Sequence, residues 1–328
     1  MAGRCAVSKL EKALDQYLAL RRALGFQLER TETRLRHFLA FLEGKRTMRI
    51  TTALALEFAM EVSALDPRTK AHRLSVVRGF ARHLAATDPT IEVPPLGLLP
   101  DGPKRAHPYL YSEEEIRRLL TGAKAYHSWN RFPGKWWKHF QAQTFYCLFG
   151  LLAVTGMRVG EALKLRPEDI DWSAGVLTVH RAKFGKSRLV PLHPTTVKAL
   201  AAFVRHRDRC FAQLPSPPKL AHLFVTSRGT PMSVTHVNRI FLTISRQIGL
   251  RAPNARRGPR LHDLRHRFAV ETLLRWYRRG EQPDRLLPIL ATYLGHTHVS
   301  GTYWYLSSTP ELMRAAGQRL ERRWKGIR

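Results

Sequence analysis

The stretch Leu294-Gly295-His296-Thr297-His298-Val299-Ser300-Gly301-Thr302-Tyr303-Trp304-Tyr305 is the last of four motifs that decide how this chain folds. Upstream of it, in chain order, stand Thr155-Gly156-Met157-Arg158-Val159-Gly160-Glu161-Ala162-Leu163, then Lys183, then Leu261-His262-Asp263-Leu264-Arg265. An arginine, a lysine, a His-x-x-Arg pair, a second histidine and a tyrosine therefore follow one another along the chain. Because these polar groups are far apart in sequence, they can form one site only if the fold assembles it.

These residue types suit phosphodiester transfer without a metal ion. Arg158 and Arg265 stay protonated, and a guanidinium binds phosphate oxygens through two parallel hydrogen bonds. A tyrosine is a suitable nucleophile because its phenolate also leaves readily in the reverse step. Lys183 could protonate the departing sugar oxygen, and a histidine could accept the phenol proton. Taken alone, each motif also fits a structural role, such as a turn lysine or a core aromatic residue, so the order and spacing carry the prediction.

The charge of the chain indicates a polyanionic partner. Among 328 residues, 55 Lys and Arg stand against 25 Asp and Glu, a formal net charge of +30. The basic residues are spread along the whole sequence, whereas a membrane-surface protein would concentrate them in one amphipathic segment. Apolar residues make up 44% of the chain, which is enough for a packed core and argues against disorder. We therefore expect a folded protein that binds nucleic acid.

Cysteine content and the N-terminus indicate a reducing compartment. Cys5, Cys147 and Cys210 are scattered and show no C-x-x-C spacing, so neither a disulfide framework nor a zinc site is predicted. The N-terminus passes directly into a charged amphipathic pattern, so we expect no signal peptide. The longest apolar run, residues 144–155, is too short to span a bilayer. We expect no membrane association and a cytoplasmic, nucleoid-associated protein of prokaryotic type.

Residues 1–88 are predicted to form an N-terminal helical domain. Apolar residues recur at helical spacing in four segments, the third from about Thr52 to Ala64. Asp66-Pro67 fits the N-cap and first position of the fourth helix. The basic residues of that helix form a face that is either solvated or in contact with DNA: Lys70, Arg73, Arg78 and Arg82.

Residues 89–108 are predicted to be a linker, because six prolines bar a continuous helix there. Lys104 and Arg105, near its end, could contact DNA if the linker forms a basic strap around a duplex. Linkers are often basic for no such reason, and that alternative stays open.

Residues 109–328 are predicted to form a second, mostly helical domain. Ser112 and Glu115 fit a capping box at its first helix. The segment Trp129–Lys138 is rich in aromatic and basic residues, which favours a loop pinned to the core by Trp over base stacking. A buried helix is expected over 140–154. Short strands at 176–179 and 189–192 flank a turn that contains Lys183 and Lys186.

Together the motifs resemble the tyrosine recombinase family, the phage integrase type of site-specific recombinase. The similarity covers about Tyr111 to Leu306 and includes Lys183-Phe184-Gly185-Lys186-Ser187-Arg188-Leu189-Val190-Pro191-Leu192 and Leu261-His262-Asp263-Leu264-Arg265-His266-Arg267-Phe268. The resemblance implies a mainly α (α+β) fold. Its parts would be a four-helix, SAM-like core-binding domain and a mostly helical catalytic domain with a small antiparallel sheet, closing on duplex DNA as a C-shaped clamp.

The resemblance also implies a role for each site residue. Arg158 and Arg265 would hold the scissile phosphate, and His296 would hydrogen-bond it. Lys183 would be the general acid, and His262 the general base or proton acceptor. Tyr305 would form a 3′-phosphotyrosine, with Tyr303 as the rival nucleophile.

Further expectations concern partners. Strand exchange would pass through a Holliday junction and need neither ATP, cofactor nor metal. The protein would act as a dimer on each double-stranded DNA site and a tetramer in the synapse, with a C-terminal tail helix after Thr309-Pro310 packing on a neighbouring protomer. Accessory recombinases or DNA-bending proteins could take part. Lys186 and Arg188 complete the set of predicted DNA contacts.

Two other functions remain compatible with the sequence. A type IB topoisomerase-like enzyme would use the same chemistry on one duplex, although the N-terminal helices and tail helix favour recombination. A non-catalytic architectural DNA-binding protein would have the charge without the chemistry. A mobile-element recombinase is the favoured biological role.

Overall fold

Helices dominate the computed structural model, which describes residues 2–62, 64–100, 108–126, 135–180, 187–255, 257–296, 298–306 and 309–325. The predicted class, mainly helical with a small antiparallel sheet, is confirmed. By its internal contacts the chain divides into two compact units, Met1–Ala106 and His107–Arg328. In the part of the chain that the structure describes, no helix has the length and apolar character needed to cross a bilayer.

The first unit contains the helices predicted from the periodic apolar pattern. Its described helices are α1 (Ala2–Ala23), α2 (Glu29–Gly44), α3 (Thr52–Met60) and α4 (Pro67–Ala85). The N-cap prediction for α4 is confirmed, because the Asp66 carboxylate accepts the backbone N–H of Thr69 and Pro67 occupies the first turn. Helix α3 ends at Met60, earlier than the sequence predicted.

Aromatic side chains fill the core of the first unit. Phe38 on α2 is fully buried and meets Phe58 of α3 edge-on, with ring centroids 5.1 Å apart. Phe80 of α4 packs on Tyr17 of α1 at 5.6 Å. The first contact joins α2 to α3 and the second joins α4 to α1, and burial of such large apolar side chains is the main source of stability for a small unit.

We expect Phe38→Ala to destabilise the first unit by about 3–5 kcal/mol, because it removes a buried ring and leaves a cavity. Amide hydrogen exchange of the full-length protein, followed by mass spectrometry, would measure the loss locally as faster exchange in α2 and α3. Leu24→Ala is the matched control, since that side chain is 65% exposed. Unchanged protection in Phe38→Ala would contradict this description of the core.

The first part of the predicted linker packs against the first unit. The backbone N–H of Glu92 donates to the carbonyl of Ile50 at 3.0 Å, and the Glu92 carboxylate accepts the N–H of Thr52 at 2.8 Å. Arg78 donates to the carbonyls of Pro94 and Pro95. Residues 88–95 therefore belong to this unit, and Lys104 and Arg105 lie outside the described residues.

The second unit is built mainly from helices. In chain order they are α5 (Glu113–Ala125), α6 (Lys135–Thr155), α7 (Val159–Ala162), α8 (Pro194–Ala212), α9 (Val234–Gln247), α10 (Asp263–Arg278), α11 (Pro283–Leu294), α12 (Ser300–Leu306) and α13 (Pro310–Lys325). The capping box at Ser112 and Glu115 is confirmed. The predicted buried helix is α6, which begins before residue 140 and packs against α5, α8 and α10.

The sheet of the second unit has three described antiparallel strands, β1 (Ile170–Asp171), β2 (Val176–Val179) and β3 (Arg188–Pro191). Leu177 of β2 lies opposite Val190 of β3, and both side chains are buried. The strand predicted at 189–192 is thus confirmed with a shift of one residue. Val179 lies opposite Arg188, so β3 begins with an arginine whose side chain enters the site described next.

Candidate active site

The first motif forms a sharp turn between α6 and α7. Gly156 has φ +60°, and a Cβ there would lie 2.6 Å from the Phe268 ring, so only glycine fits. The turn places Arg158 at the N-cap of α7, where its backbone N–H donates to the Glu161 carboxylate at 3.0 Å. The Arg158 guanidinium returns to the same carboxylate at 2.7 Å. The motif therefore fixes both the backbone and the side chain of its arginine.

Glu161 is a buried carboxylate shared by two arginines. Arg158 binds one of its oxygens, and Arg188 from β3 binds the other at 2.7 Å. Burial alone would raise the pKa of Glu161, but hydrogen bonds from Arg188 and Arg158 outweigh it and hold this pKa at about 2. The carboxylate is therefore ionised throughout the neutral range.

The carboxyl end of α11 is the point where three arginines meet. The carbonyl of Tyr293 accepts from Arg188 at 2.7 Å, that of Leu294 from Arg265 at 2.5 Å, and that of Gly295 from Arg158 at 3.0 Å. These are the carbonyls that a helix leaves without an internal partner, and they carry the negative end of its dipole. Three consecutive backbone groups thus align three guanidinium groups beside His296.

Arg265 lies in the first turn of α10 and is 2% exposed. It also donates to the carbonyl of Gly156 at 2.9 Å, which ties the first motif to the end of α11. Burial lowers the pKa of Arg265 to about 10, and the nearby charge of Arg158 adds to this effect. Arg265 therefore remains a cation at neutral pH.

His262 and His266 lie one turn apart at the start of α10. Their rings are perpendicular, with centroids 4.9 Å apart. His262 is exposed over its whole residue, but its ring is surrounded by enough protein to be partly desolvated. This desolvation and the charge of Arg265 lower the pKa of His262 to about 4. Its imidazole is therefore neutral at pH 7 and able to accept a proton.

Tyr305 lies inside the same unit with its hydroxyl bound to a histidine. Its side chain is 2% exposed, and the hydroxyl is 3.0 Å from Nδ1 of His266. The His296 ring stacks near the phenol at 6.2 Å, while its Nδ1 is 2.7 Å from the Thr302 hydroxyl. Tyr303, the rival nucleophile, is 52% exposed. Of the two tyrosines, Tyr305 is the one held against the site histidines.

The structure brings together Arg158, Arg265, His262, His296 and Tyr305 in the second unit. Lys183 and Lys186 lie outside the described residues. Sequence reasoning gave the role of general base or proton acceptor to His262 and missed the contact between His266 and the Tyr305 hydroxyl. The signal was present, because His266 follows His262 by four residues and so shares its helix face. Sequence reasoning also gave no role to Glu161.

The basic residues predicted to bind DNA occupy several environments. Arg73 donates to the carbonyl of Phe58 at 2.8 Å and covers its ring, and Arg78 holds the proline segment, so both bind their own unit. Arg82 is exposed and Lys70 is half-buried. Arg188, which the sequence predicted to contact DNA, directs its Nε to the carbonyl of Tyr293 and its two terminal nitrogens to Glu161.

Trp137, at the end of the aromatic segment 129–138, belongs to the core. It is 7% exposed and lies 5.3 Å from the Phe140 ring. Burial of Trp137 agrees with the prediction that tryptophan pins the segment to the core. The predicted loop is wrong for residues 135–138, which form the first turn of α6, and residues 127–134 lie outside the described part of the chain. Across the described residues, no group of three or more His, Cys, Asp or Glu side chains is arranged to hold a metal ion.

Comparison with known proteins identifies relatives of this chain. The sequence profile described as the phage integrase family matches residues 112–311. Integrase/recombinase y4rB of Sinorhizobium fredii is 49% identical over 321 residues, covering 97% of this chain and 99% of y4rB. Integrase/recombinase y4rE of the same organism is 34% identical over 311 residues, covering 94% of this chain and 95% of y4rE.

The fold also has solved counterparts. The structure of the Tn1549 transposon integrase in complex with transposon right end DNA aligns with 94% of this chain and 98% of that chain. The TM-score is 0.65 at 16% sequence identity, which is a likeness of fold.

Proposed function

Because the chain belongs to the phage integrase family of tyrosine recombinases, which are site-specific DNA strand transferases, we propose that it cleaves and rejoins duplex DNA through Tyr305. The proposal names Tyr305 as the nucleophile and Arg158 and Arg265 as the phosphate-binding arginines. It also states that cleavage occurs at specific sites on DNA. The relatives named integrase/recombinase support recombination between two sites rather than relaxation of one duplex.

The observation that carries the proposal is the meeting of Arg158 and Arg265 on adjacent carbonyls, Gly295 and Leu294, beside His296. Each guanidinium has five N–H donors, and the bonds described use two in each. Both therefore retain donors for the non-bridging oxygens of one phosphate. Two fixed cations stabilise the charge that develops on those oxygens in the transition state.

The proposed cleavage step is balanced in atoms and charge. The Tyr305 oxygen forms a bond to phosphorus while the bond from phosphorus to the 5′ oxygen breaks. The phenol proton passes to His262, whose imidazole is neutral, or to His266, which holds the Tyr305 hydroxyl, and Lys183 supplies a proton to the departing 5′ oxygen. The products are a 3′-phosphotyrosine and a free 5′ hydroxyl. Attack by a 5′ hydroxyl reverses the step, so rejoining needs no added energy source.

Tyr305 must move before it can attack. Its hydroxyl is buried and bound to His266, whereas a DNA phosphate is large and arrives from solvent. We propose that DNA binding shifts α12 and releases the hydroxyl toward the arginines. The bond to His266 then defines a resting state in which the nucleophile is protected.

Strand exchange requires two cleaved duplexes at once. We propose one dimer on each double-stranded site, a tetramer in the synapse, and a Holliday junction between the two rounds of exchange. Helix α13 supports a further contact between protomers, since Met313, Leu320 and Trp324 are exposed along one side of it. The first unit, with its basic helix α4, would bind DNA as well.

The test begins with a binding site selected from a random-sequence duplex library by the purified protein. In a version of that site nicked close to the cleavage position, the short fragment that carries the new 5′ hydroxyl dissociates after cleavage, so rejoining cannot occur. We expect a covalent complex that survives denaturation, with nucleotides attached to the tryptic peptide that contains Tyr305. A specific complex without any covalent adduct would contradict the proposal.

A second measurement separates recombination from relaxation. A supercoiled plasmid that lacks the selected site should stay supercoiled, and one that carries two copies should yield recombined circles. Rapid relaxation of the plasmid without a site would identify a topoisomerase-like enzyme and overturn this part of the proposal.

We expect DNA affinity to fall steeply with salt because the chain carries a net charge of +30. A protein that makes about 6–10 phosphate contacts loses roughly 10³–10⁵ in affinity between about 50 and 200 mM salt, through release of condensed counterions. Fluorescence anisotropy with a labelled duplex of unrelated sequence measures the slope directly. A change smaller than about tenfold would show that few phosphates are contacted.

A further inference from the structure

Arg188 is the arginine at the α11 carboxyl end that the recombination chemistry does not use. Its side chain is 7% exposed, and its two terminal nitrogens bind the two oxygens of Glu161 at 2.7 and 3.3 Å. Its Nε donates to the carbonyl of Tyr293 at 2.7 Å. The guanidinium is therefore fully turned toward protein groups, and this forked geometry is the strongest form of an arginine–carboxylate pair.

The partner of Arg188 is also the partner of Arg158. Glu161 receives the side chain of Arg158 at 2.7 Å and its backbone N–H at 3.0 Å. Any change in the position or charge of this carboxylate is therefore transmitted to Arg158. Arg188 is thus linked to Arg158, a proposed phosphate ligand, through the single carboxylate of Glu161.

The local charge balance gives this arrangement a consequence. Arg158, Arg188 and Arg265 contribute three positive charges, and Glu161 contributes one negative charge. With Arg188 present, the carboxylate is neutralised and two positive charges remain for a phosphate. Without it, the buried carboxylate would pair with Arg158 alone, which lowers the net charge and draws that guanidinium away from DNA.

Gly295 allows Arg188 to come close to the turn before His296. The glycine has φ +69°, and a Cβ at this position would lie 2.9 Å from Nη1 of Arg188. Its carbonyl accepts from Arg158 at 3.0 Å. Arg188 and Arg158 therefore both contact Gly295, and the Arg188 side chain supports the turn.

We propose that Arg188 is a positioning residue for strand cleavage, holding Glu161 and the carboxyl end of α11 so that Arg158 keeps its place and its charge. This inference rests on the proposed function. It replaces the DNA contact that the sequence suggested for Arg188.

The test compares single-turnover adduct formation on the nicked selected site, with DNA affinity measured on the same duplex. We expect Arg188→Met to slow adduct formation by about 10²-fold or more while DNA affinity changes less than about threefold. Arg188→Lys should lie between it and wild type, because an ammonium keeps the charge but cannot form the fork. Arg166→Met is the matched control, since that arginine is exposed and 3.8 Å from Glu168.

The decisive variant is Glu161→Gln combined with Arg188→Met. Removing both charges again leaves two positive charges, those of Arg158 and Arg265, for a phosphate. The double variant should therefore form adduct at least about tenfold faster than Arg188→Met alone. If Arg188 had a purely structural role, adding Glu161→Gln to Arg188→Met would slow adduct formation further. Thermal unfolding of each variant, with and without DNA, identifies any loss that comes from unfolding.

The outcomes separate this inference from the proposed function. If wild-type protein forms no adduct, the proposed function fails. If wild type forms adduct and Arg188→Met matches it, or if the double variant is no faster than Arg188→Met, the positioning role is wrong. If Arg188→Met weakens DNA binding and reduces its salt dependence by about one phosphate contact, Arg188 touches DNA and the inference is overturned.

Discussion

Tyr305→Phe is expected to abolish covalent adduct formation while leaving DNA binding intact. The substitution removes only the hydroxyl that would attack phosphorus and leaves the aromatic ring in place. Loss of a covalent nucleophile lowers the rate by at least about a thousandfold. Adduct formation on the nicked selected site, measured on denaturing gels, gives the rate, and anisotropy with the same duplex gives the affinity.

Tyr303→Phe is the matched control for this experiment. The two tyrosines lie on the same short helix, but Tyr303 is 52% exposed and Tyr305 is buried against His266. The control should form adduct at nearly the wild-type rate. If the two variants exchange behaviour, Tyr303 is the nucleophile and the family spacing has been misread. Adduct formation by both single variants would require a nucleophile elsewhere.

The same substitution reports on the resting state. Tyr305→Phe removes the hydrogen bond to His266, and such a bond contributes about 1 kcal/mol to stability. The remaining ring still fills its place in the core, so the fold should be retained. This small effect makes the expected loss of cleavage attributable to chemistry.

The sequence was informative where order and spacing alone define a site. Arg158, Arg265 and His296 could be named because they stand in motifs with fixed neighbours, and the structure brings them to one helix end. Gly156 and Gly295 stand in the same motifs, and both have positive φ. The helices with regular apolar stripes, such as α4, were predictable for the same reason.

Contacts between side chains that are distant in sequence could not be predicted from the sequence. Arg73, Arg78 and Arg188 look alike in a basic chain, yet each binds carbonyls or carboxylates of its own unit. Their role depends on which acceptors the fold places within 3 Å or so, a distance that helical periodicity does not encode. The contact of His266 with the Tyr305 hydroxyl was missed for the same reason.

Arg265→Lys is expected to reduce cleavage by about 10²–10³-fold, the loss typical when a preorganised charge donor is removed from a transition state. The guanidinium of Arg265 spans the carbonyls of Gly156 and Leu294 at 2.9 and 2.5 Å. A single ammonium cannot hold both and also bind phosphate. Arg267→Lys is the matched control on the same helix, because that side chain donates to the carbonyl of Tyr111 instead.

The pH dependence of cleavage by Arg265→Lys distinguishes loss of charge at this position from loss of geometry. Burial and Arg158 lower the pKa of Arg265 from 12.5 to about 10, so arginine stays charged at pH 7–8. The same surroundings would lower the pKa of a lysine below its ordinary value of about 10.4 and bring it closer to the neutral range. A lysine gains its proton as pH falls, so the rate of Arg265→Lys relative to wild type should rise between about pH 9 and pH 7. A constant ratio over that range would mean that geometry alone, and not the charge held at this position, limits the variant.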